Sequence, residues 1–251
     1  MNVVVNDLMT NYQKVGNGKT IVCLPGWGDS LDSFSELIKS LQAKYTVLAL
    51  DLPGFGGSQA PPKAWDMADY TKFVADWMKK VGIVRTYGLI GHSYGGSIAI
   101  KGLASDDFKT EKLVLLASAG VRKKHSLRKK IIKAVAKTGK LPAYLLPPKT
   151  RQKLRRKFYK TAGSEALLLP HMEATFKQII SEDIQSAAKT ISVPTLLIYG
   201  SKDQTTPAED GQALHQAISG SKLEIIENAG HFLHQEQPEA VAQLIEDFLN
   251  V

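Results

Sequence analysis

The sequence predicts an α/β fold: a mostly parallel eight-stranded sheet, helices on both faces, and a helical insertion between two halves of the core. Three observations carry that expectation. Short apolar runs of strand length alternate with segments of helical spacing over the first 120 residues. The alternation resumes near residue 191 and continues to the C-terminal end. Residues 121–190 interrupt it without any clear strand pattern. Strands joined to parallel neighbours through helices require right-handed crossovers, which cover both faces of the sheet.

Each element has its own signal. Residues 3–5 and 8–14 are expected as short opening strands with a weak hydrophobic signal. Residues 20–24 form a compact apolar strand ended by Pro25-Gly26. Residues 33–43 set Phe34, Leu37, Ile38 and Leu41 at helical spacing. A buried strand follows over 45–50, then a loop of turn residues from Asp51 to Gly57. Residues 69–81 carry Tyr70, Phe73, Val74, Trp77 and Val81 on one helical face. Residues 86–90 read as a strand, 94–103 as a helix and 113–117 as a strand. After the interruption come a strand over 193–199, a helix over 208–218, a strand over 222–226 and a closing helix over 238–249. The expected division is therefore a core of residues 1–120 and 191–251 with a cap of residues 121–190.

Composition narrows the class. A chain of 251 residues, 43% hydrophobic and 22% charged, suits one soluble domain with an insertion. The lone cysteine, Cys23, sits in an apolar run and reads as a buried structural thiol. The N-terminus lacks a basic start followed by an apolar run, and no apolar run is long enough to span a bilayer. The expectation is a cytoplasmic protein, at most peripheral at a membrane. The net charge of +8 is unevenly placed. Residues 122–160 contain sixteen Lys and Arg and no Asp or Glu.

The chemistry centres on Gly91-His92-Ser93-Tyr94-Gly95-Gly96, set between an expected strand and an expected helix. A residue on so tight a turn is forced out of the sheet, and flanking glycines leave room for its backbone. The helix that follows offers N–H groups and partial positive charge to a developing oxyanion. A serine hydroxyl is a weak nucleophile until a base, oriented by a carboxylate, takes its proton. Asp203, just after the 193–199 strand, and His231, just after the 222–226 strand, supply those residue types in the order serine, acid, histidine. Strand ends of this kind converge over the carboxyl edge of a parallel sheet. His234, three residues beyond His231, is the rival base. His125, His171 and His215 fall in helical or basic surface stretches, and His92 is expected to pack beside the nucleophile. Asp210 lies inside a helix, and Asp51 is expected to organise a turn or support the site indirectly.

With these motifs the chain resembles the α/β-hydrolase superfamily along nearly its whole length. Leu24-Pro25-Gly26-Trp27-Gly28-Asp29-Ser30 is similar to its oxyanion loop, residues 51–58 to the loop after the next strand, and Asn228-Ala229-Gly230-His231 to its histidine loop. The resemblance implies an oxyanion hole built from the backbone N–H groups of Trp27 and Tyr94, with the Trp27 indole walling the acyl pocket. It also implies acyl transfer, because branches that form alkyl esters place aspartate where Ser93 stands. No cofactor or metal is implied. One departure is Pro25, where the family usually has a histidine that braces the loop.

The basic segment leaves two readings open. It is either a solvated charged face or a docking surface for an anionic partner: an acidic carrier protein, an anionic membrane or a small anionic substrate. The Gly-Trp-Gly and Asp-Leu-Pro-Gly-Phe-Gly stretches resemble esterases that cleave pimeloyl-carrier methyl esters, which fits a carrier-borne substrate. On this reading Tyr144 and Leu145, in an apolar proline-rich connector, receive the acyl chain, while Arg151, Arg155 and Arg156 face the anionic partner. Nucleic acid is disfavoured, because no recognition motif accompanies the charge. The expected activity is hydrolysis of a carboxylic ester or thioester through an acyl-enzyme. A carbon–carbon bond hydrolase, a lipase, or a non-catalytic module acting through its basic cap are the alternatives.

Overall fold

The computed structural model describes residues 1–121 and 172–250. Its sheet has eight strands in the order β1-β2-β4-β3-β5-β6-β7-β8. They are β1 (Asn2–Val5), β2 (Leu8–Val15), β3 (Lys19–Leu24), β4 (Tyr45–Leu50), β5 (Thr86–His92), β6 (Thr110–Leu116), β7 (Thr195–Gly200) and β8 (Lys222–Ile226). The pairs β1–β2 and β2–β4 are antiparallel, and every pairing from β4 onward is parallel.

Alternation along the central strands builds two cores. Val22, Leu24 and Leu89 face one side, with Phe73, Trp77 and Ile98. Ile21, Cys23 and Ile90 face the other, with Phe34, Leu41, Ile245 and Leu249. Both faces are covered, so β3 reads as an unbroken apolar run. Cys23 is fully buried, and that burial pushes its thiol up and out of reactive range.

The helices follow the same logic. The stretch expected over 33–43 is a 3-10 turn, Leu31–Phe34, running into α1 (Ser35–Leu41). Helix α2 (Met67–Lys80) starts two residues before the sequence expectation. Asp66 accepts from the Asp69 N–H while the Asp69 carboxylate accepts from the Asp66 N–H, so reciprocal capping rather than the apolar stripe sets the start. Strand β6 also starts early, at Thr110, because Thr86 of β5 pairs with it there. Its polar opening, Thr-Glu-Lys, hides the strand from an apolar-run reading. Helix α3 (Tyr94–Ala104) follows β5 without a loop.

Between residues 172 and 190 the chain carries two helices and no strand: α4 (Glu173–Ile179) and α5 (Gln185–Ala188). This stretch is tied to the core at several points. Glu182 accepts from the Met67 N–H at the start of α2 (3.1 Å) and pairs with Lys101 of α3 (3.0 Å). The Trp65 N–H donates to the Thr175 hydroxyl, and the Ile184 N–H to the Gly120 carbonyl. The chain then closes with α6 (Ala208–Ala217), the short α7 (Leu233–Glu236) and α8 (Pro238–Asn250). Among the described residues no helix is long and apolar enough to cross a membrane.

The strand order reverses around β3: β4 lies on one side of it and β5 on the other. In an open parallel sheet, a ligand site forms outside the carboxyl ends of the strands at such a point.

Candidate active site

Ser93 follows directly on β5 and caps α3 with φ 50° and ψ −114°. That left-handed backbone is strained for a residue with a Cβ. It persists because the turn is over-determined. The Ser93 N–H donates to the Leu116 carbonyl, and the Ser93 carbonyl accepts from Gly96, Ser97 and Ala119. Two flanking glycines are required sterically. A Cβ on Gly91 would stand 2.6 Å from the Gly96 Cα, and one on Gly95 would overlap the Leu24 carbonyl of β3.

His231 and Asp203 reach the same point from β8 and β7. His231 Nδ1–H donates to Asp203 Oδ2 at 2.7 Å, which leaves Nε2 to accept from the Ser93 hydroxyl at 3.0 Å. The histidine loop is held from behind, because the Gly230 N–H donates to Glu236 Oε2 in α7. Asp203 Oδ1 accepts from the N–H groups of Thr205 and Thr206. The Thr206 hydroxyl donates to Oδ2 (2.7 Å) and lies 2.9 Å from the Ala117 carbonyl.

Burial alone would push the Asp203 carboxyl up. The hydrogen bond and charge of His231, with the Thr206 donors, outweigh it and hold the carboxyl below its usual range. A depressed carboxyl contributes stability that is present above the unfolded value and is lost as pH falls through the folded one.

His234 behaves differently from His231. It is 1% exposed, neither ring nitrogen has a hydrogen-bond partner among the described residues, and the ring stacks on Phe34 at 5.2 Å. Burial, reinforced by His231, pulls it down to about 4. Of the two rings only that of His231 is in hydrogen-bond contact with Ser93. The sign of the shift gives a prediction. A neutral His234 stabilises fully above pH 6.5, and the unfolded chain gains on the folded one as pH falls from 6.5 toward 4, by up to about 1.4 kcal/mol per pH unit. His234→Phe keeps the ring stack and removes the titration, so its melting temperature should fall less steeply over that range. Parallel thermal melts from pH 4 to 7 check this, and identical slopes for the two proteins would refute it.

The other residues singled out in the sequence also find places. Tyr94 opens α3, so its N–H has no carbonyl one turn back to bond. The Trp27 N–H has no acceptor among the described residues. The Trp27 indole packs on Phe55 (4.7 Å), Phe176 of α4 (5.4 Å) and Tyr94 (5.8 Å). Asp51 ties strand β2, the 3-10 turn and its own loop together, with Oδ1 accepting from the Leu31 N–H and Oδ2 from the Gly57 N–H and the Asn11 amide. Asp210 lies inside α6 as expected, and His215 is exposed and bonded to the Ser221 hydroxyl. Tyr144, Leu145, Arg151, Arg155 and Arg156, like His125 and His171, lie outside the described residues. Among the described residues no group of three His, Cys, Asp or Glu is placed to hold a metal.

The sequence reading missed Thr206, Glu236 and the contacts of His92. Thr206, three residues after Asp203, is a local spacing that favours a hydroxyl bonding a carboxylate. Glu236 has no comparable signal.

Comparison with known proteins agrees with the fold. The chain is 28% identical to the pimeloyl-[acyl-carrier protein] methyl ester esterase of Neisseria meningitidis, over 92% of this chain and 93% of that protein. It is 26% identical to the monoacylglycerol lipase abhd6-A of Xenopus laevis, over 96% of this chain and 78% of that one. Its fold superposes on the crystal structure of a bacterial membrane phospholipase A with a TM-score of 0.78 at 24% identity, covering 100% of this chain and 85% of the other. The sequence profile of the alpha/beta hydrolase family matches residues 21–244, and with the eight-stranded sheet this shows that the chain belongs to the α/β-hydrolase family.

Proposed function

We propose that the protein is a serine hydrolase that cleaves a carboxylic ester or thioester through an acyl-enzyme on Ser93. The observation that carries this reading is the hydrogen-bonded chain Ser93–His231–Asp203, with Ser93 held in left-handed backbone at the head of α3. In the first step Ser93 Oγ attacks the acyl carbonyl as its proton passes to His231 Nε2. The resulting oxyanion takes hydrogen bonds from the N–H groups of Trp27 and Tyr94. Donors of this kind stabilise a transition state by roughly 3–4 kcal/mol each. The tetrahedral species then expels the alcohol or thiol, which leaves with the proton from His231. Water attacks the acyl-enzyme, gives its proton to His231, and the acid departs as Ser93 regains its hydrogen. Asp203 orients His231 and faces its positive charge throughout, without taking the proton.

The esterase and lipase relatives support ester chemistry, and the carrier-ester relative supports an acyl chain presented on a carrier protein. On this reading residues 121–190 form the cap. Its sixteen basic residues between 122 and 160 steer the anionic carrier or membrane surface, and Tyr144 and Leu145 receive the acyl chain. The direct test is labelling with a fluorophosphonate, followed by turnover of p-nitrophenyl esters of increasing acyl length. Labelling and turnover support the hydrolase. Neither, with a folded protein, leaves a binding module. Turnover of a vinylogous diketone without any ester turnover moves the reading to a carbon–carbon bond hydrolase.

The cap has its own prediction. Reversing Arg151, Arg155 and Arg156 to Glu should lower kcat/KM on a carrier-borne or anionic ester by about tenfold or more at low salt. Hydrolysis of a small neutral ester should stay nearly unchanged. Added salt should shrink the difference, because it screens steering between exposed charges. Equal effects on both substrates would return the segment to a solvated face.

A further inference from the structure

We propose that His92 is a positioning residue that locks the base loop to the oxyanion loop, an inference that rests on the hydrolase reading above. Its ring is 1% exposed and closes β5, one residue before Ser93. Nε2 lies 3.0 Å from the backbone carbonyl of His231. A carbonyl only accepts, so Nε2 carries the ring proton and Nδ1 keeps a lone pair. Nδ1 faces Asp29 Oδ2 at 3.8 Å, and both are buried atoms without a hydrogen-bond partner among the described residues. Asp29 sits in the turn closed by its own N–H on the Gly26 carbonyl. Gly26 itself rests on the ring, since a Cβ there would stand 3.1 Å from His92 Nδ1 and 3.3 Å from Ser93 Cβ. One imidazole therefore reaches the base through a carbonyl and the Trp27 turn through Gly26 and Asp29, while the chain joins it to the nucleophile.

The chemistry of the ring suits this role. Imidazole offers a donor and an acceptor on opposite sides of one rigid plane, which neither phenyl nor lysine does. It also stays neutral. Burial first, then the neighbouring His234 and His231, hold it well below the usual imidazole range, against the opposing pull of the His231 carbonyl. When His231 takes the serine proton, the positive charge consequently stays on the ring that Asp203 faces. Asp29 is the complementary half. Burial pushes its carboxyl up, against the opposing pull of hydrogen bonds from the Ser30 N–H and the Ser33 hydroxyl. The 3.8 Å gap closes to hydrogen-bond length with under about 1 Å of movement. Pro25 offers the oxyanion loop no side-chain hydrogen bond, so the contact of Gly26 on the His92 ring is the support this structure gives it.

The roles of packing and hydrogen bonding separate in two variants. His92→Phe keeps ring contacts with His234 (4.6 Å) and Phe232 (5.3 Å) but loses both polar functions. His92→Gln restores an amide N–H at about the reach of Nε2. For an ester substrate, His92→Phe should lower kcat by about 10²-fold, as expected for a small misplacement of reacting groups. KM should stay within about twofold, since the ring is buried behind the reacting atoms, and His92→Gln should recover about tenfold of the loss. Long-range proton–nitrogen correlation spectra of the wild-type protein should show His92 protonated on Nε2. The downfield Nδ1–H resonance of His231 should broaden in His92→Phe and persist in His92→Gln. Wild-type kcat in a folded His92→Phe protein, equal losses for Phe and Gln, or a proton on His92 Nδ1 would overturn the inference. If the wild-type protein turns over no ester, the hydrolase reading fails, and the two spectroscopic readouts still decide the role of His92.

Discussion

Replacing Ser93 by Ala is expected to lower kcat on an ester by at least about 10³-fold and to abolish fluorophosphonate labelling, with the fold intact. On the proposed mechanism the hydroxyl oxygen forms the acyl bond, so no neighbouring group substitutes for it. Stability should change little. The substitution removes one hydrogen bond to His231 but leaves the left-handed backbone as strained as before, because alanine also carries a Cβ. Ser93→Gly separates the two effects. It is equally inactive, yet it releases strain of order 1–3 kcal/mol at φ 50°, so its melting temperature should match or exceed that of Ser93→Ala. Retained ester turnover in either purified variant would remove Ser93 from the chemistry. A marked loss of stability in Ser93→Gly would remove strain as the reason for the glycine-rich turn.

The features legible in the sequence are those in which one stretch of chain carries its own signal. The apolar run at Ile21–Leu24 announces a strand buried on both faces, and its residues alternate between two cores. The elbow is legible because Gly91 and Gly95 mark close backbone approach on either side of Ser93. The order of Ser93, Asp203 and His231, each just past an expected strand, announces convergence before any distance is known. Features that depend on a distant partner stay hidden. Strand β6 opens with polar residues and is a strand there only because Thr86 pairs with Thr110. The buried state of His234 depends on Phe34, two hundred residues earlier, and nothing local separates it from His231. Asp51 reads as a turn residue, yet it accepts from Asn11, Leu31 and Gly57, which only the assembled sheet brings together. The contact of Phe176 with Trp27 likewise joins residues about 150 positions apart, which no local pattern announces.

His231→Ala is expected to approach the defect of Ser93→Ala, and Asp203→Asn to fall by about 10³- to 10⁴-fold for a reason the geometry makes specific. The N–H groups of Thr205 and Thr206 both donate to Oδ1 of residue 203, at 2.7 and 3.0 Å. In Asp203→Asn these donors select the amide oxygen for that position and turn the NH₂ group toward His231 Nδ1. A donor facing Nδ1 favours the opposite tautomer, in which Nε2 bears the proton and cannot accept another from Ser93. The variant thus keeps its shape and loses the base. Since the neutral amide also fails to face the imidazolium, raising pH should recover little activity. His234→Phe is the control, with kcat within a few-fold of wild type, because both nitrogens of that ring are unpartnered among the described residues and it stacks on Phe34. The decisive measurement is kcat for one ester across the three purified variants, with thermal melts alongside. A silent His231→Ala beside an inactive His234→Phe would transfer the base to His234. A fully active Asp203→Asn would show that another group fixes the tautomer of His231.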